Sequence, residues 1–438
     1  MSREMKNSGI EWIGKIPSDW SISKLKYVAS IIGGNGFPEY LQGEDTDEIP
    51  FYKAGDISAA VRKISDSRTY ISRIIADKHR FNLIPSGAIL MPKIGEAMKK
   101  NSRALSTKIC CIDNNCQAIV PSNQVEQDYC YYLLCIVDMN DFDNAGTIPS
   151  LNNSKLLNLQ IPFPPKKTQH AIANYLDSKC SQIDALIANT EAQIEELGEY
   201  KKALITQAVT KGLDPDVEMK DSGIEWIGKI PSHWSILRIA NIYTERSETG
   251  CKDDLPILMV SINSGVSNGE VLDEERTRMV VRSEDKSLYK RVYPDDLVYN
   301  TMRAWQGAFG AVRVNGLVSP AYVTAAPKID IDSRYIEYLL RTPPAKEEMK
   351  RYSYGIADFR MRLYWQYFKN ISVALPPLDE QHHIASFIDS SYFKIDSVIK
   401  KNSELLETLQ DYKKSLIYDY VTGKREVPVS YRKGGSHE

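Results

Sequence analysis

The sequence predicts an α+β protein in which two α/β-type globular domains alternate with two long helices, as a pseudo-twofold internal repeat. Three observations lead to this prediction: one motif occurs twice, one helical pattern occurs twice, and the segments between them differ. The motif copies are Met5–Ser23 (MKNSGIEWIGKIPSDWSIS) and Met219–Leu237 (MKDSGIEWIGKIPSHWSIL), which agree at 16 of 19 positions. At 438 residues, each half is long enough to bury a core of its own.

A second repeated block predicts the two long helices. It covers residues 161–212 and 373–424, with an offset of 212 positions. Apolar residues recur in both copies at three- and four-residue steps, the spacing of one helix face. A helix of about 43 residues is roughly 64 Å long and cannot bury its apolar stripe alone. Because two tandem copies can associate about a pseudo-twofold axis, we expect the helices to pair as an antiparallel coiled coil.

Proline and glycine mark the ends of both helices. The pairs at 164–165 and 376–377 end a preceding strand, because proline cannot extend a β-ladder and disfavours helix in the residue before it. A polar residue should cap each helix start, and a glycine should follow each helix end. The predicted caps are Thr168 and Asp379, and the predicted terminal glycines are Gly212 and Gly423.

These patterns divide the chain into five parts. The predicted parts are a first globular domain (1–163), a first spacer helix (164–213), a second globular domain (214–375), a second spacer helix (376–425) and a tail (426–438). Within the globular domains we expect strands at Gly87–Met91 and Asp296–Tyr299, and helices at Asp128–Val137 and Arg334–Leu340. Two tryptophans are expected to pack each domain against the helices, Trp12 and Trp20 in the first domain and Trp226 and Trp234 in the second.

The composition is that of an ordinary globular protein, with 42% hydrophobic and 26% charged residues. The sequence has no apolar run of about 20 residues and no signal-peptide pattern at its start, and its seven cysteines fit a reducing compartment, so we expect a cytoplasmic protein. A zinc site at Cys110, Cys111 and Cys116 is the alternative to a buried strand there. The net charge of −2 means that any basic surface must be local.

Catalytic signatures give no support for an enzyme. The sequence contains no GxxxxGK[ST] loop, no HExxH and no CxxC. The two globular domains do contain basic and aromatic clusters, and such side chains can neutralise phosphates or contact bases. The predicted DNA-binding residues are Lys93, Lys99, Lys100, Arg103, Arg303, Gln306, Arg351, Arg360, Arg362 and Tyr364. Solvated helix faces give similar charge runs and remain the alternative.

The repeated motif G-I-E-W-I-G-K-I-P-x-x-W, together with P-P-x-x-x-Q at the start of each long helix, resembles the specificity (S, HsdS) subunit of type I restriction–modification systems. The full pattern P-P-x-x-E-Q-x-x-I is present in the second copy, at Pro376, Pro377, Glu380, Gln381 and Ile384. In the first copy Thr168 replaces the glutamate.

This resemblance implies that each globular domain is a target recognition domain for one half of a split, asymmetric sequence in double-stranded DNA. The helices would set the spacing between the halves. The family's subunit is not an enzyme; it assembles with two methyltransferase subunits and two restriction (translocase) subunits in a prokaryotic cytoplasm. The assembly would act as an adenine-specific DNA methyltransferase and an ATP-dependent endonuclease in phage defence. S-adenosylmethionine, ATP and magnesium would be bound by the partner subunits, with no cofactor on this chain.

Two other interpretations remain open. A protein scaffold without a DNA target would explain the long helices. It would not explain why the two globular domains differ in sequence while the repeated motif and helices beside them stay alike. An enzyme hidden in one globular domain, such as a nuclease, would require activity of the chain without partners. A salt-dependent shift of duplex DNA would count against the scaffold.

Overall fold

The computed structural model describes residues 3–38, 40, 48–144, 146–249, 255–262, 265–267, 286–355 and 361–432. The chain packs as two compact units, one formed by Met1–Glu191 with Glu404–Glu438 and the other by Ala192–Ser403. Each unit therefore contains one globular domain and one segment of each long helix. Within the described ranges, every helix is too short or too polar to span a membrane.

The first globular domain contains strands β1 to β12 and helices α1 to α6. The strands are β1 (Met5–Asn7), β2 (Lys15–Pro17), β3 (Ser21–Lys24), β4 (Ala29–Gly33), β5 (Ile49–Tyr52), β6 (Lys63–Ile64), β7 (Tyr70–Ile71), β8 (Ile89–Pro92), β9 (Ala104–Ser106), β10 (Cys111–Ile112), β11 (Cys116–Pro121) and β12 (Gln160–Phe163). The helices are α1 (Leu25–Val28), α2 (Ala54–Ala59), α3 (Arg73–Lys78), α4 (Gly95–Lys99), α5 (Gln127–Cys135) and α6 (Asn153–Leu157).

The second globular domain follows the first long helix, α7 (Lys166–Lys211). Its strands are β13 (Met219–Asp221), β14 (Lys229–Pro231), β15 (Ser235–Arg238), β16 (Tyr243–Arg246), β17 (Met259–Ser261), β18 (Gly265–Ser267), β19 (Lys290–Val292), β20 (Leu297–Asn300), β21 (Phe309–Ala311), β22 (Gly316–Val318), β23 (Tyr322–Pro327) and β24 (Ser372–Leu375). Its helices are α8 (Ile239–Ile242), α9 (Ser333–Leu340), α10 (Pro343–Arg351) and α11 (Trp365–Phe368). The second long helix, α12 (Leu378–Val421), and the short α13 (Val429–Arg432) complete the chain.

The two globular domains share the order of their main sheet. In the first domain the order is β4-β11-β8-β9-β6, and in the second it is β16-β23-β20-β21. Neighbouring strands are antiparallel in both, except for the parallel pair β6 and β9. The small ladders β1–β2 and β13–β14 also share a register, with Met5 opposite Pro17 and Met219 opposite Pro231. Similar sheets therefore underlie segments whose sequences have diverged.

The long helices begin earlier than the sequence predicts. Thr168 and Asp379 were predicted as N-caps, but α7 starts at Lys166 and α12 at Leu378, so both residues lie inside the first turn. Helix α7 starts earlier because the Pro165 carbonyl accepts the Thr168 amide at 2.8 Å, and because the fixed φ of proline suits the start of a helix. The predicted ends are confirmed, because Gly212 and Gly423 have φ values of 76° and 73° directly beyond the last turns.

The predicted elements inside the globular domains are confirmed with small shifts of their ends. Strand Gly87–Met91 corresponds to β8, Asp296–Tyr299 to β20, Asp128–Val137 to α5, and Arg334–Leu340 to α9. Each lies where a run of apolar residues is buried on the core side of its sheet or helix. The two strands were predicted from short β-rich runs that turn signals separate.

The cysteine cluster lies in the core of the first domain. Cys110, Cys111 and Cys116 are buried, and Cys111 forms β10 with Ile112. Burial raises the pKa of each of these thiols to about 12, so the thiolate that a metal ion needs is disfavoured. No group of three or more His, Cys, Asp or Glu side chains suited to a metal occurs in the described part of the chain. These observations support the buried-strand interpretation.

We predict that Gly423→Ala destabilises the protein more than Gly9→Ala. Both glycines have a φ of 73°, which costs an alanine about 1 kcal/mol. A Cβ at Gly423 would also lie 2.5 Å from Pro17 Cδ and 3.0 Å from Trp20 Cη2, adding about 1–3 kcal/mol of overpacking. A Cβ at Gly9 meets nothing within 4 Å. Chemical denaturation of both variants checks this, and equal losses would contradict the packing at the end of α12.

Candidate nucleic-acid interface

Most of the predicted DNA-binding residues lie on equivalent connections of the two main sheets. Strands β8 and β9 are antiparallel neighbours, and their connection contains α4 with Lys93, Lys99 and Lys100. Strands β20 and β21 are the corresponding pair, and their connection holds Arg303 and Gln306 around a short 3₁₀ turn. These residues, which were predicted from charge and residue type alone, thus lie on the connection between corresponding strands in both domains.

In the first domain, the connection carries two exposed lysines. The Lys99 Nζ donates to Glu96 Oε1 at 2.7 Å across one turn of α4, and Lys100 at the helix end is exposed. Lys93 is half-buried, and its Nζ lies beside Gly33 of β4. An exposed i,i+3 ion pair of this kind is weak and exchanges readily for a phosphate.

Arg103 differs from the other predicted contacts because its side chain is only 7% exposed. Its guanidinium donates to the Asn101 carbonyl at 2.8 Å and to the Val137 carbonyl at 2.5 Å. Burial lowers the pKa of Arg103 from its usual value. These bonds tie the β8–β9 connection to the end of α5, so we assign Arg103 a structural role in shaping the loop and not a contact with DNA.

In the second domain, two segments are joined beside the β20–β21 connection. The Leu363 amide donates to the Thr301 carbonyl at 2.9 Å, and Tyr354 and Arg362 form a β-bridge. The Arg303, Arg362 and Tyr364 side chains are exposed there, Tyr364 by 44%. Lys350 lies on the adjoining helix α10, and its Nζ is 5.6 Å from the centroid of the Trp305 ring. We call this set the basic–aromatic surface: Arg303, Trp305, Lys350, Arg362 and Tyr364.

The remaining predicted residues lie near that surface or outside the described residues. Gln306 is half-buried at the end of the 3₁₀ turn. Arg351, at the end of α10, makes ion pairs with Glu348 at 3.1 Å and Glu225 at 3.4 Å while 65% of its side chain is exposed. Arg360 lies outside the described residues. DNA contact by these side chains stays a prediction.

A buried tyrosine joins each globular domain to the long helices. In the first unit the Tyr129 hydroxyl lies 3.1 Å from the Pro162 carbonyl of β12 and 3.2 Å from the Val421 carbonyl at the end of α12. In the second unit the Tyr335 hydroxyl lies 3.0 Å from the Ala374 carbonyl of β24 and 2.9 Å from the Val209 carbonyl near the end of α7. Burial raises the pKa of both tyrosines well above the usual value, so both stay neutral donors.

We call the contact between each globular domain and the long helices a joint. Besides the tyrosine, each joint contains the glutamine of the P-P-x-x-x-Q motif. Gln169 Oε1 accepts the Glu126 amide at 2.8 Å, and its Nε2 donates to the Pro164 carbonyl at 2.8 Å. Gln381 repeats this, with the Asp332 amide at 3.0 Å and the Pro376 carbonyl at 2.8 Å. Both amide side chains are buried. The motif therefore links the long helix to the residue that precedes α5 or α9.

Sequence reasoning missed these tyrosines, although a signal existed. Both α5 and α9 contain the spacing Y-x-x-Y, at Tyr129 and Tyr132 and at Tyr335 and Tyr338. The second tyrosine of each pair also reaches the helix that follows its domain: Tyr132 donates to Asp177 Oδ1 at 2.7 Å, and Tyr338 donates to Asp389.

The tryptophan prediction is confirmed for two of four residues. Trp20 and Trp234 are each 1% exposed and pack in the cores that contain the helix segments of their own units. Trp226 is half-buried at the edge of the second core. Trp12 is 37% exposed, so it was wrongly predicted as a buried anchor; its backbone carbonyl accepts from the Tyr418 hydroxyl of α12 at 2.9 Å.

Comparisons with known proteins show relatives of one kind. Residues 17–197 match the family described as the type I restriction modification DNA specificity domain. The putative type I restriction enzyme MjaX specificity subunit of Methanocaldococcus jannaschii is 26% identical, over 95% of this chain and 96% of that protein. The type I restriction enzyme EcoBI specificity subunit of Escherichia coli is 23% identical, over 95% of this chain and 88% of that protein.

Structural comparison agrees on the fold. A chain solved in work on complex assembly and conformational transition of the type I R-M system has a TM-score of 0.65 and 12% identity to this one, over 94% of this chain and 99% of that chain. The resemblance to the specificity subunit of type I restriction–modification systems, predicted from the sequence, is confirmed by the matched domain and by these relatives.

We predict that Tyr335→Phe lowers the free energy of unfolding by about 1–2 kcal/mol, because it removes the donor shared by two buried carbonyls. Tyr412→Phe is the matched control: this tyrosine is 53% exposed on α12, and its change should stay within about 0.5 kcal/mol. Urea denaturation of both variants gives the comparison. Equal free energies of unfolding for the two variants would show that the Tyr335 hydroxyl does not stabilise the protein.

Proposed function

We propose that this chain is the DNA specificity subunit of a type I restriction–modification complex, in which each globular domain contacts one half of a bipartite, asymmetric target in double-stranded DNA. One observation supports this above the others: two domains with the same sheet order and the same joints carry different side chains on equivalent connections. Identical domains would select identical half-sites, whereas different loops on one scaffold select different ones.

We further propose that α7 and α12 pair as an antiparallel coiled coil that sets the spacing between the half-sites. Two ion pairs support this pairing. Lys413 pairs with Asp184 in the first unit, and Lys201 Nζ lies 2.6 Å from Asp396 Oδ1 in the second. Asp396 and Lys201 are the counterparts of Asp184 and Lys413 at the 212-residue offset. In each unit an early position of one long helix meets a late position of the other, which is the direction expected for an antiparallel pair.

The proposed partners are two methyltransferase subunits and two restriction subunits. Apolar side chains on the two long helices offer a surface for them, because each is at least 41% exposed. These side chains are Leu186, Tyr200, Phe387, Phe393, Val398, Leu405 and Tyr412. In this proposal S-adenosylmethionine, ATP and magnesium bind to the partners in the cytoplasm, and this chain supplies sequence recognition without catalysis.

We predict that this chain, expressed with its neighbouring methyltransferase subunit in a methylation-free host, directs adenine methylation to a split, asymmetric motif on both strands. Single-molecule sequencing of the host DNA maps the modified bases. A complex that assembles but methylates no motif would contradict the proposal and favour a protein scaffold.

We predict that the double variant Arg303→Ala/Arg362→Ala binds target DNA about tenfold more weakly per lost contact, because each arginine makes one charge-assisted bond. The slope of log affinity against log salt should fall by about 0.9 for each phosphate contact removed. Lys400→Ala, an exposed lysine on α12, is the charge control. Fluorescence anisotropy over a salt series measures both quantities; a variant indistinguishable from the control would exclude the basic–aromatic surface as the interface.

A further inference from the structure

A carboxylate is held at the joint of the second unit by an indole N–H. The Trp234 Nε1 donates to Glu380 Oε2 at 3.1 Å, and His233 Nε2 lies 2.8 Å from the same oxygen. Glu380 is the glutamate of the P-P-x-x-E-Q pattern, so this acceptor comes from the start of α12. The buried tryptophan of the second repeated motif is thereby satisfied.

The first unit has the same tryptophan without the acceptor. Trp20 is the counterpart of Trp234, and Thr168 stands where the second copy has Glu380. The Trp20 side chain is 1% exposed, and its Nε1 has no hydrogen-bond partner among the described residues. An unpaired buried donor costs about 1–3 kcal/mol, which makes such groups rare and informative.

A cavity of about 340 Å³ adjoins Trp20 and Thr168, the counterparts of Trp234 and Glu380. The residues that line it include Trp20, Thr168 and Ile172, with the charged side chains of Arg3, Asp19, Lys167, Arg425 and Glu426. Each arginine already has a carboxylate partner: Arg3 lies 2.9 Å from Asp19, and Arg425 lies 3.0 Å from Asp419. Lys167 is exposed and has no ion pair among the described side chains.

The charge of the cavity differs from that of its counterpart in the direction that suits an anion. The second copy has Asp379 and Glu380 at the start of its helix, and the first has Lys167 and Thr168 at the same positions. Two acids are thus replaced by one base and one neutral residue at these two positions, whereas His233, which contacts Glu380, has Asp19 as its counterpart in the first copy. The first turn of α7 adds the positive end of the helix dipole, while the Thr168 and Gln169 amides already donate to the Pro165 carbonyl.

We propose that this cavity of the first unit is a binding site for a carboxylate group supplied by another molecule, which takes the place of the missing glutamate. One carboxylate oxygen accepts the Trp20 Nε1–H, as Glu380 accepts that of Trp234, and Lys167 compensates the charge. A carboxylate is favoured over a phosphate because the second unit places a carboxylate on the same donor. The site is formed by residues of the first unit, whereas the basic–aromatic surface is formed by residues of the second.

The test uses the full chain with ¹⁵N-labelled tryptophan and follows the indole N–H resonances during titration with sodium acetate. Wild-type protein is expected to show one resonance with a saturable shift that sodium chloride at equal ionic strength does not produce. In Thr168→Glu, one resonance should already lie at the acetate-saturated position and should no longer respond. Thr168→Val, which keeps the size but adds no carboxylate, should respond as the wild type does.

Several outcomes would overturn the proposal. They are no indole response to acetate beyond that to chloride, an unchanged response in Thr168→Glu, and a response to phosphate or uncharged acetamide without one to acetate. A blocked glutamate, N-acetylglutamate amide, distinguishes the sources among supporting outcomes. Tighter binding of this probe than of acetate assigns the site to an acidic side chain of a partner protein, and equal binding assigns it to a small free acid.

Discussion

The buried joint between each globular domain and the long helices is the constraint on which the rest of the structure depends. A tyrosine hydroxyl and a glutamine amide, both out of water, satisfy backbone groups of a strand, a domain helix and a long helix at once. Buried polar groups tolerate few alternative geometries, because any movement leaves one of them unpaired. The joint therefore holds each globular domain against its helix segments, while the residues on the surface of the domain remain free to change.

Much of this architecture could be predicted because it is carried by repetition and periodicity. The two long helices follow from apolar steps of three and four residues, and the glycines at their ends follow from the need for positive φ. The N-caps were misplaced because a proline carbonyl accepted the first helical bonds, which a side-chain rule does not anticipate.

The candidate site was harder to predict, because charge alone does not distinguish a surface arginine from a buried one. Arg103 and Lys99 lie in one basic run, yet only the first is held by backbone carbonyls in the core. The equivalence of the two sheet connections was also hidden, since their sequences share nothing recognisable and only the strand order reveals it. Tertiary contacts between distant segments, as between Leu363 and Thr301, leave no local trace in a sequence.

The packing of Gly423 against Pro17 and Trp20 brings together two segments that lie far apart in the sequence. The same contact is made by Gly212 with Pro231 and Trp234, where a short covalent segment connects the partners. In the first unit the two partners come from opposite ends of the polypeptide, and Lys424 Nζ bonds the Ile13 carbonyl at 2.6 Å and the Lys15 carbonyl at 2.7 Å. Packing and hydrogen bonds thus hold residues 13–20 against residues 423–424 in the first unit, where the second unit has a covalent connection between the corresponding segments.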